Sequence, residues 1–336
     1  MAATDFSSGV LMDRHLFVRS AMSAAAARFA GVASLGARLA NLELVPDGPI
    51  SLGVETTRGI VVVPDAANRL GLPAPQDMDD LLQQGRADEV RAVLDALDTL
   101  DSRSREVVLV DPAEVRFAPL VTRPQKIVCV GFNYREHAKE TGTPVPTVPP
   151  LFNKYNNSLN RSGGTITLPT RVAYQFDFET ELVIVIGREA RDVAEDQALA
   201  YVAGYATGND FSARDLQTAT TQFMIGKTSD GFAPIGPWLV PADRVPDPNN
   251  LRLQTYVNGE QRQNWTTKDM VFNCAQLISF ASGIFPLSPG DVIFTGTPQG
   301  VIFGQEQPRE QRAWLKGGDE VTSELEGLGR LTVTLV

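Results

Sequence analysis

Beyond about Pro119 the apolar positions fall into short runs punctuated by Gly, Pro and Asn. Lys126–Gly131, Glu179–Gly187, Leu251–Asn258, Asp291–Gly296 and Leu331–Val336 are of this kind, and such runs predict the strands of a mostly β core. Ala194–Tyr205 and Thr267–Ile284 break the texture and are expected to be helical, the second with a Thr available as N-cap. Upstream the pattern differs. Gly59–Val63 reads as a buried strand. Asp88–Leu100 sets Val90, Val93, Leu94 and Leu97 at helical spacing, with charges between them. The expectation is an α+β, β-rich chain: residues 1–118 form a small N-terminal α/β domain and linker, and residues 119–336 the main domain. Between them in character lies Gly142–Pro150 (GTPVPTVPP), stiff and extended, either a lid that orders over a substrate or a rigid connector.

Composition narrows the partners. The chain has 336 residues and a formal net charge of −10, so nothing offers the basic face that a nucleic acid requires. Anionic membranes are disfavoured for the same reason, and no apolar run is long enough to span a bilayer. The two cysteines, Cys129 and Cys274, both sit in apolar segments and are expected to be buried free thiols in a reducing compartment, the cytoplasm. One feature points elsewhere: Asp13–Ser34 combines scattered Arg with an Ala-rich stretch, as in a degenerate twin-arginine export signal. Arg28 breaks the Ala run and the paired arginines are missing, so a plain N-terminal segment is the expectation and export the lesser alternative.

Candidate chemistry begins with Asp177-Phe-Glu-Thr-Glu-Leu-Val-Ile-Val-Ile186. On one continuous strand Asp177, Glu179 and Glu181 share a face. Three buried like charges repel and lose solvation, which a divalent cation would relieve. Hard oxygen donors suit Mg²⁺, Mn²⁺ or Ca²⁺ better than zinc. A solvated strand end has the same sequence, so the motif alone leaves both readings open. Asp210, in Gly208-Asn-Asp-Phe-Ser-Ala-Arg-Asp-Leu-Gln217, is a further candidate ligand or a turn-capping acid. Asp215, beside Arg214, reads as that arginine's salt-bridge partner.

Histidine is scarce: only His15 and His137 occur. His15 carries no functional expectation. Glu140 lies three residues beyond His137, on the same helical face, where a carboxylate could orient the imidazole for general-base work. A surface i,i+3 pair is the alternative. Lys227 stands in an apolar, Gly- and Pro-rich segment, where a partly buried ammonium could neutralise a carboxylate or an enolate. Thr295-Gly-Thr-Pro298 follows a strand and could bind a carboxylate, or be an ordinary turn. A nicotinamide dehydrogenase is not indicated, since no GxGxxG follows a strand.

In order along the chain, GFNYREHAKE, FDFETELVIVIG, GNDFSARDLQ, GKTSDGFAPIGP, VNGEQRQ and LSPGDVIFTGTPQGV resemble the fumarylacetoacetate hydrolase family from about Lys126 to the C-terminus. The resemblance implies a β-rich catalytic domain of mixed sandwich-like roll, usually in a homodimer. It implies Mg²⁺ or Mn²⁺ held by Glu179, Glu181 and Asp210, a water-activating pair His137 and Glu140, and a substrate-binding Lys227. Gln217 and Thr297 match positions that touch the bound acid. Lys154-Tyr-Asn-Asn-Ser158 and Gly300-Val-Ile-Phe-Gly304 depart from the common family versions, at places where substrate choice is made.

The implied reaction is metal-dependent C–C hydrolysis of a 1,3-dicarbonyl or acylpyruvate-type 2-oxo-acid. Oxaloacetate-type decarboxylation, or hydration or isomerisation of an oxo-acid, are the alternatives on the same site. A non-catalytic ligand-binding protein is the rival of another class, and the competent residues at every matched position argue against it.

Overall fold

The computed structural model describes residues 31–33 and 35–336. His15 and nearly all of the Arg- and Ala-rich N-terminal stretch lie outside the described residues. An antiparallel sheet comes first, with β1 (Leu39–Glu43), β2 (Ile50–Thr56), β3 (Gly59–Val62) and β4 (Leu109–Val110) in sequence order. Val63, expected to end the strand, instead begins the helix Val63–Leu70. Pro64 accounts for this, because it has no N–H for a ladder and its fixed φ suits the first helical turn. The expected helix at Asp88–Leu100 runs Ala87–Ala96 with a 3₁₀ turn at Leu97–Thr99. Its Val93 and the following Leu97 pack with Val61, Ala66 and Val108 in one apolar cluster.

The centre of the molecule is a six-stranded mixed sheet in the order β14 (Val240–Pro241), β11 (Val202–Asn209), β10 (Thr180–Ile186), β17 (Val292–Phe294), β5 (Ile127–Val130), β6 (Leu151–Lys154). The β17–β5 pair is parallel and the others antiparallel. A five-stranded sheet covers it, in the order β16 (Glu260–Thr266), β15 (Arg252–Val257), β18 (Glu320–Leu325), β19 (Gly329–Leu335), β8 (Gly164–Ile166). Two short pairs complete the set, β9 (Phe176–Asp177) with β12 (Ser212–Ala213) and β7 (Leu159–Asn160) with β13 (Ala233–Pro234). The fold is α+β and strand-rich, with no closed barrel among the described residues. β10 is buried along its whole length, which is why TELVIVI is nearly continuously apolar.

Two helix expectations need correction. Ala194–Tyr205 is a 3₁₀ turn at Glu195–Tyr201 followed at once by β11. The need for a strand between β10 and β14 overrides the helical bias of the Ala-rich run. Thr267–Ile284 divides likewise: Thr266 caps only the 3₁₀ turn Thr267–Asp269, and the helix itself is Cys274–Ile284. Asn273 and Gln276 form a capping box at its start.

Apolar residues from both sides of residue 118 share the same interior. Leu39, Leu52 and Met78 are buried in one cluster with Val183, Ala206 and Val292. Cys129 and Cys274 are buried free thiols. Gly142–Pro150 forms neither helix nor strand, and the N–H of Gly131 donates to Pro150 O where this stretch rejoins the sheet. Among the described residues no helix is long and apolar enough to cross a membrane.

Candidate metal centre and active site

The site is built where β10 begins and β11 ends. Antiparallel pairing sets Glu181 opposite Gly208 and Thr180 opposite Asn209, so Glu179 and Asp210 emerge side by side just beyond the ladder. The N–H of Asp210 donates to Glu179 O at 2.8 Å, and Asn209 Oδ1 accepts from the N–H of Glu179 at 2.9 Å. One oxygen from each of Glu179, Glu181 and Asp210 can be chosen so that all lie within 4.8 Å of one another, and all three residues are buried. Glu181 is oriented from the side by the N–H of Gly296, 2.7 Å from Oε2. That turn requires glycine: φ is +97°, and an added Cβ would stand 2.7 Å from Cβ of Asn133.

Three cations surround the acids. Lys227 Nζ donates to both Glu179 and Asp210, the latter at 2.9 Å. Lys154 Nζ pairs with the other oxygen of Asp210 and donates to Phe232 O at 2.8 Å. Arg214 reaches Glu179 at 2.7 Å and Asp177 at 2.9 Å. These contacts divide the triad. Burial opposes ionisation of Glu179, but Arg214 and Lys227 outweigh it and hold that carboxyl below the usual range. Burial likewise works against a charged Lys227, and Asp210 and Glu179 reverse it, so the ammonium holds its proton more tightly than usual. Glu181 makes no ion pair among the described residues; burial first, then the charges of Asp210 and Glu179, push its carboxyl well above the ordinary value.

Asp177, Glu179, Glu181 and Asp210 face Lys154, Lys227 and Arg214, and the carboxyl left without a cation is one of the three whose oxygens converge. The donor set is all oxygen, and a hard divalent cation there would supply the missing positive charge. The residues fit the group.

Across the pocket the helix Arg135–Glu140 carries the pair read from the sequence. His137 Nδ1 and Glu140 Oε1 are 2.8 Å apart, and His137 is buried. A carboxylate acceptor on Nδ1 fixes the proton there and leaves Nε2 as the free ring nitrogen. Asn133 anchors the turn before this helix, donating to Thr295 O at 2.7 Å and Phe272 O at 3.0 Å. Phe132, at φ +50°, stacks on the imidazole with ring centroids 6.0 Å apart.

The cavity that joins these groups is about 380 Å³ with its mouth included. Its polar lining comprises His137, Glu179, Glu181, Arg214, Gln217, Lys227 and Thr297; Phe132, Phe152, Phe223 and Phe303 wall it. Asp210 lies behind the lysines. Gln217 accepts from Arg214 Nη1 at 2.9 Å. The hydroxyl of Thr297 donates to Thr180 O at 2.9 Å and accepts from Gln263 Nε2 at 3.0 Å.

Two expectations fail. Asp177 does not share the metal face with Glu179 and Glu181. The strand is interrupted at Phe178–Glu179, and pairing passes from β12 on one side to β11 on the other, so alternation does not carry through. Asp177 is instead a fully buried anchor, accepting from Arg214 Nε and from the N–H groups of Phe178, Ile302 and Phe303 at 2.8–2.9 Å. Asp215 is not the partner of Arg214 either: its side chain turns away and accepts from the N–H of Tyr174 at 2.9 Å. Asp177→Ala would take one of two carboxylate partners from buried Arg214 and leave its Nε–H and three backbone N–H donors without their acceptor. It should cost about 3–5 kcal/mol of stability in urea unfolding, and a loss below about 1 kcal/mol would show that water replaces the carboxylate. The roles missed from sequence are those of Arg214, Lys154 and Gln263, whose contacts with Asp177, Asp210 and Thr297 span 37, 56 and 34 positions.

A buried carboxylate triad that could hold a divalent ion, facing a His–Glu pair across one cavity, is the arrangement of an enzyme site. Residues 126–336 match the fumarylacetoacetate (FAA) hydrolase C-terminal family, and the chain belongs to the fumarylacetoacetate hydrolase family. It is 39% identical over 284 residues, 83% of this chain and 85% of the relative, to human oxaloacetate tautomerase FAHD2A, mitochondrial. Among solved structures it resembles the fumarylacetoacetate hydrolase of psychrophilic Exiguobacterium antarcticum, with a TM-score of 0.73 and 31% identity, covering 89% of this chain and 99% of that one. It also resembles the maleylpyruvate hydrolase of Sphingobium sp. SYK-6 in complex with manganese(II) ion and pyruvate, with a TM-score of 0.69, 28% identity, and coverage of 89% and 98%.

Proposed function

We propose that this chain interconverts the enol and keto forms of a small 2-oxo-diacid of the oxaloacetate kind, with His137 moving the proton at the carbon next to the oxo group. One observation carries the reading: the protic pair His137–Glu140 faces the carboxylate triad across a single narrow cavity. The cavity suits an acid of a few carbons better than an extended acyl chain. The name of the human relative, which aligns over most of both chains, supports the same substrate class.

In this reading Glu179, Glu181 and Asp210 hold Mg²⁺ or Mn²⁺, which when bound supplies Lewis acidity at the 2-oxo group. Nε2 of His137 withdraws the carbon-bound proton, and the imidazolium that forms is stabilised by Glu140. The enolate oxygen is then protonated from the solvent side; the reverse sequence returns the ketone. Lys227 spends two of its N–H bonds on Glu179 and Asp210, and the third is free for a substrate carboxylate. Gln217 through its amide N–H and Thr297 through its backbone N–H orient that carboxylate, and the phenylalanine walls keep bulk water from His137. The working unit is a homodimer in a reducing compartment, the cytoplasm.

C–C hydrolysis of an acylpyruvate is the second reading, favoured by the hydrolases among the similar structures. It uses the same pair to activate a water. The experiment is to follow decay of enol oxaloacetate in the ultraviolet with Mg²⁺ or Mn²⁺, with products read by proton NMR. Faster decay that leaves ketonic oxaloacetate intact and disappears with EDTA supports the tautomerase. Pyruvate release would make it a decarboxylase, cleavage of acylpyruvates alone a hydrolase, and silence on all three would remove the enzymatic reading.

A further inference from the structure

The segment Gly300–Gly304 closes the cavity with Phe303 and also reaches behind the His137–Glu140 pair. The N–H of Gly300 donates to Glu140 Oε2 at 3.0 Å, the oxygen that His137 does not use. Gly304 lies flat against the same carboxyl group: a Cβ there would stand 2.2 Å from Cδ and 2.4 Å from Oε2 of Glu140. The segment is held independently of Glu140. Gly300 has φ +105° and its Cβ position abuts Arg262 O at 2.6 Å. Ile302 and Phe303 donate their N–H groups to buried Asp177, and Arg312 Nη1 donates to Phe303 O. Glu140, by contrast, sits on a single helical turn and a half, with a side chain that is 19% exposed. Among the described residues its carboxyl makes two hydrogen bonds, one to each side of this junction.

We infer that Gly300 and Gly304 are positioning residues of the proton-transfer pair. The backbone N–H of Gly300 is the third member of a His137–Glu140–N–H chain, and the bare Cα of Gly304 sets how deep the Glu140 carboxylate sits. The inference rests on the reading of His137 as the proton-transfer group. Its physical logic is that a carboxylate orients an imidazole only if the carboxylate is itself fixed. Neither glycine touches the substrate; both act through Glu140.

Gly304→Ala is the probe, because residue 304 has no left-handed backbone to strain and the Gly300 N–H stays in place. The added methyl should push the carboxylate off Nδ1. We expect kcat to fall roughly 10- to 100-fold, with KM, Mn²⁺ affinity by calorimetry and melting temperature near wild type. A second readout needs no substrate. The chain has two histidines, so in ¹⁵N-histidine NMR the carboxylate-bonded Nδ1–H of His137 is assigned by its persistence in His15→Gln, and it should vanish in Gly304→Ala. A third needs no Gly304 variant: the Gly300 amide should exchange at least about tenfold faster in Glu140→Ala, as for a lost hydrogen bond worth about 1.4 kcal/mol. Unchanged kcat, an unchanged Nδ1–H signal, an unaltered Gly300 amide, or loss of kcat together with Mn²⁺ binding would each overturn the inference. If wild type turns over no oxo-acid but the NMR signals respond as stated, the functional reading fails and the positioning role stands.

Discussion

His137→Ala is expected to lower metal-dependent turnover of enol oxaloacetate by about 10²- to 10⁴-fold, the range for loss of a positioned general base. The metal site should survive it. His137 is not among the three converging acids, and none of Lys154, Lys227 or Arg214 depends on the imidazole for its hydrogen bonds. Mn²⁺ affinity measured by calorimetry should therefore match wild type within a few-fold, as should KM, since the substrate carboxylate is assigned to Lys227, Gln217 and Thr297. Added imidazole should restore part of kcat, because deletion of the ring leaves a cavity beside Glu140 and Phe132. A variant that keeps most of its turnover would take the proton-transfer role away from His137. A variant that loses metal along with activity would show instead that the helix Arg135–Glu140 shapes the triad.

This pair was legible in the sequence because its geometry is local. An i,i+3 spacing meets on any helix, so the 2.8 Å contact joins near neighbours in the chain, and only its bracing by Gly300 and Gly304 comes from elsewhere in the fold. The triad was half legible: Glu179 and Glu181 are two residues apart, but Asp210 joins them only through the β10–β11 register. Strand alternation then misled at Asp177, since it assumes an uninterrupted strand and this one breaks at Phe178–Glu179. The cations were the least legible. Arg214 has an acidic sequence neighbour in Asp215 yet pairs with Asp177, 37 positions away. Lys154 meets Asp210 over 56 positions. Buried charges pair with whatever the topology delivers, and neighbouring residues in a short helix point apart. Elements were easier than contacts: the apolar runs located β5, β10, β15, β17 and β19, while β11 lay inside an Ala-rich run read as helical and the helix expected from Thr267 began only at Cys274.

Glu181→Gln should abolish metal binding without harming the metal-free fold. Gln keeps the size of the side chain and an oxygen to accept from the N–H of Gly296, so packing around the turn is preserved. What it removes is the one converging carboxyl that has no ion pair among the described residues. With metal at a hundredfold excess over Kd, wild type should gain ~2.7 kcal/mol of stability and the variant almost none. The pH dependence separates charge from shape. Glu181 holds its proton above the usual carboxylate range because it is buried beside Asp210 and Glu179, so the folded, metal-free state binds a proton that the unfolded chain releases. Metal-free wild type should therefore lose stability, relative to the variant, as pH rises from the ordinary glutamate pKa through the raised one. Metal binding must expel that proton, so wild-type affinity should climb with pH over the same interval and level off above it. Chemical denaturation in EDTA across this range, paired with calorimetry of Mn²⁺ binding, gives both slopes. Parallel stability curves for variant and wild type would mean that Glu181 is ionised without metal, and that Lys227 neutralises all three acids.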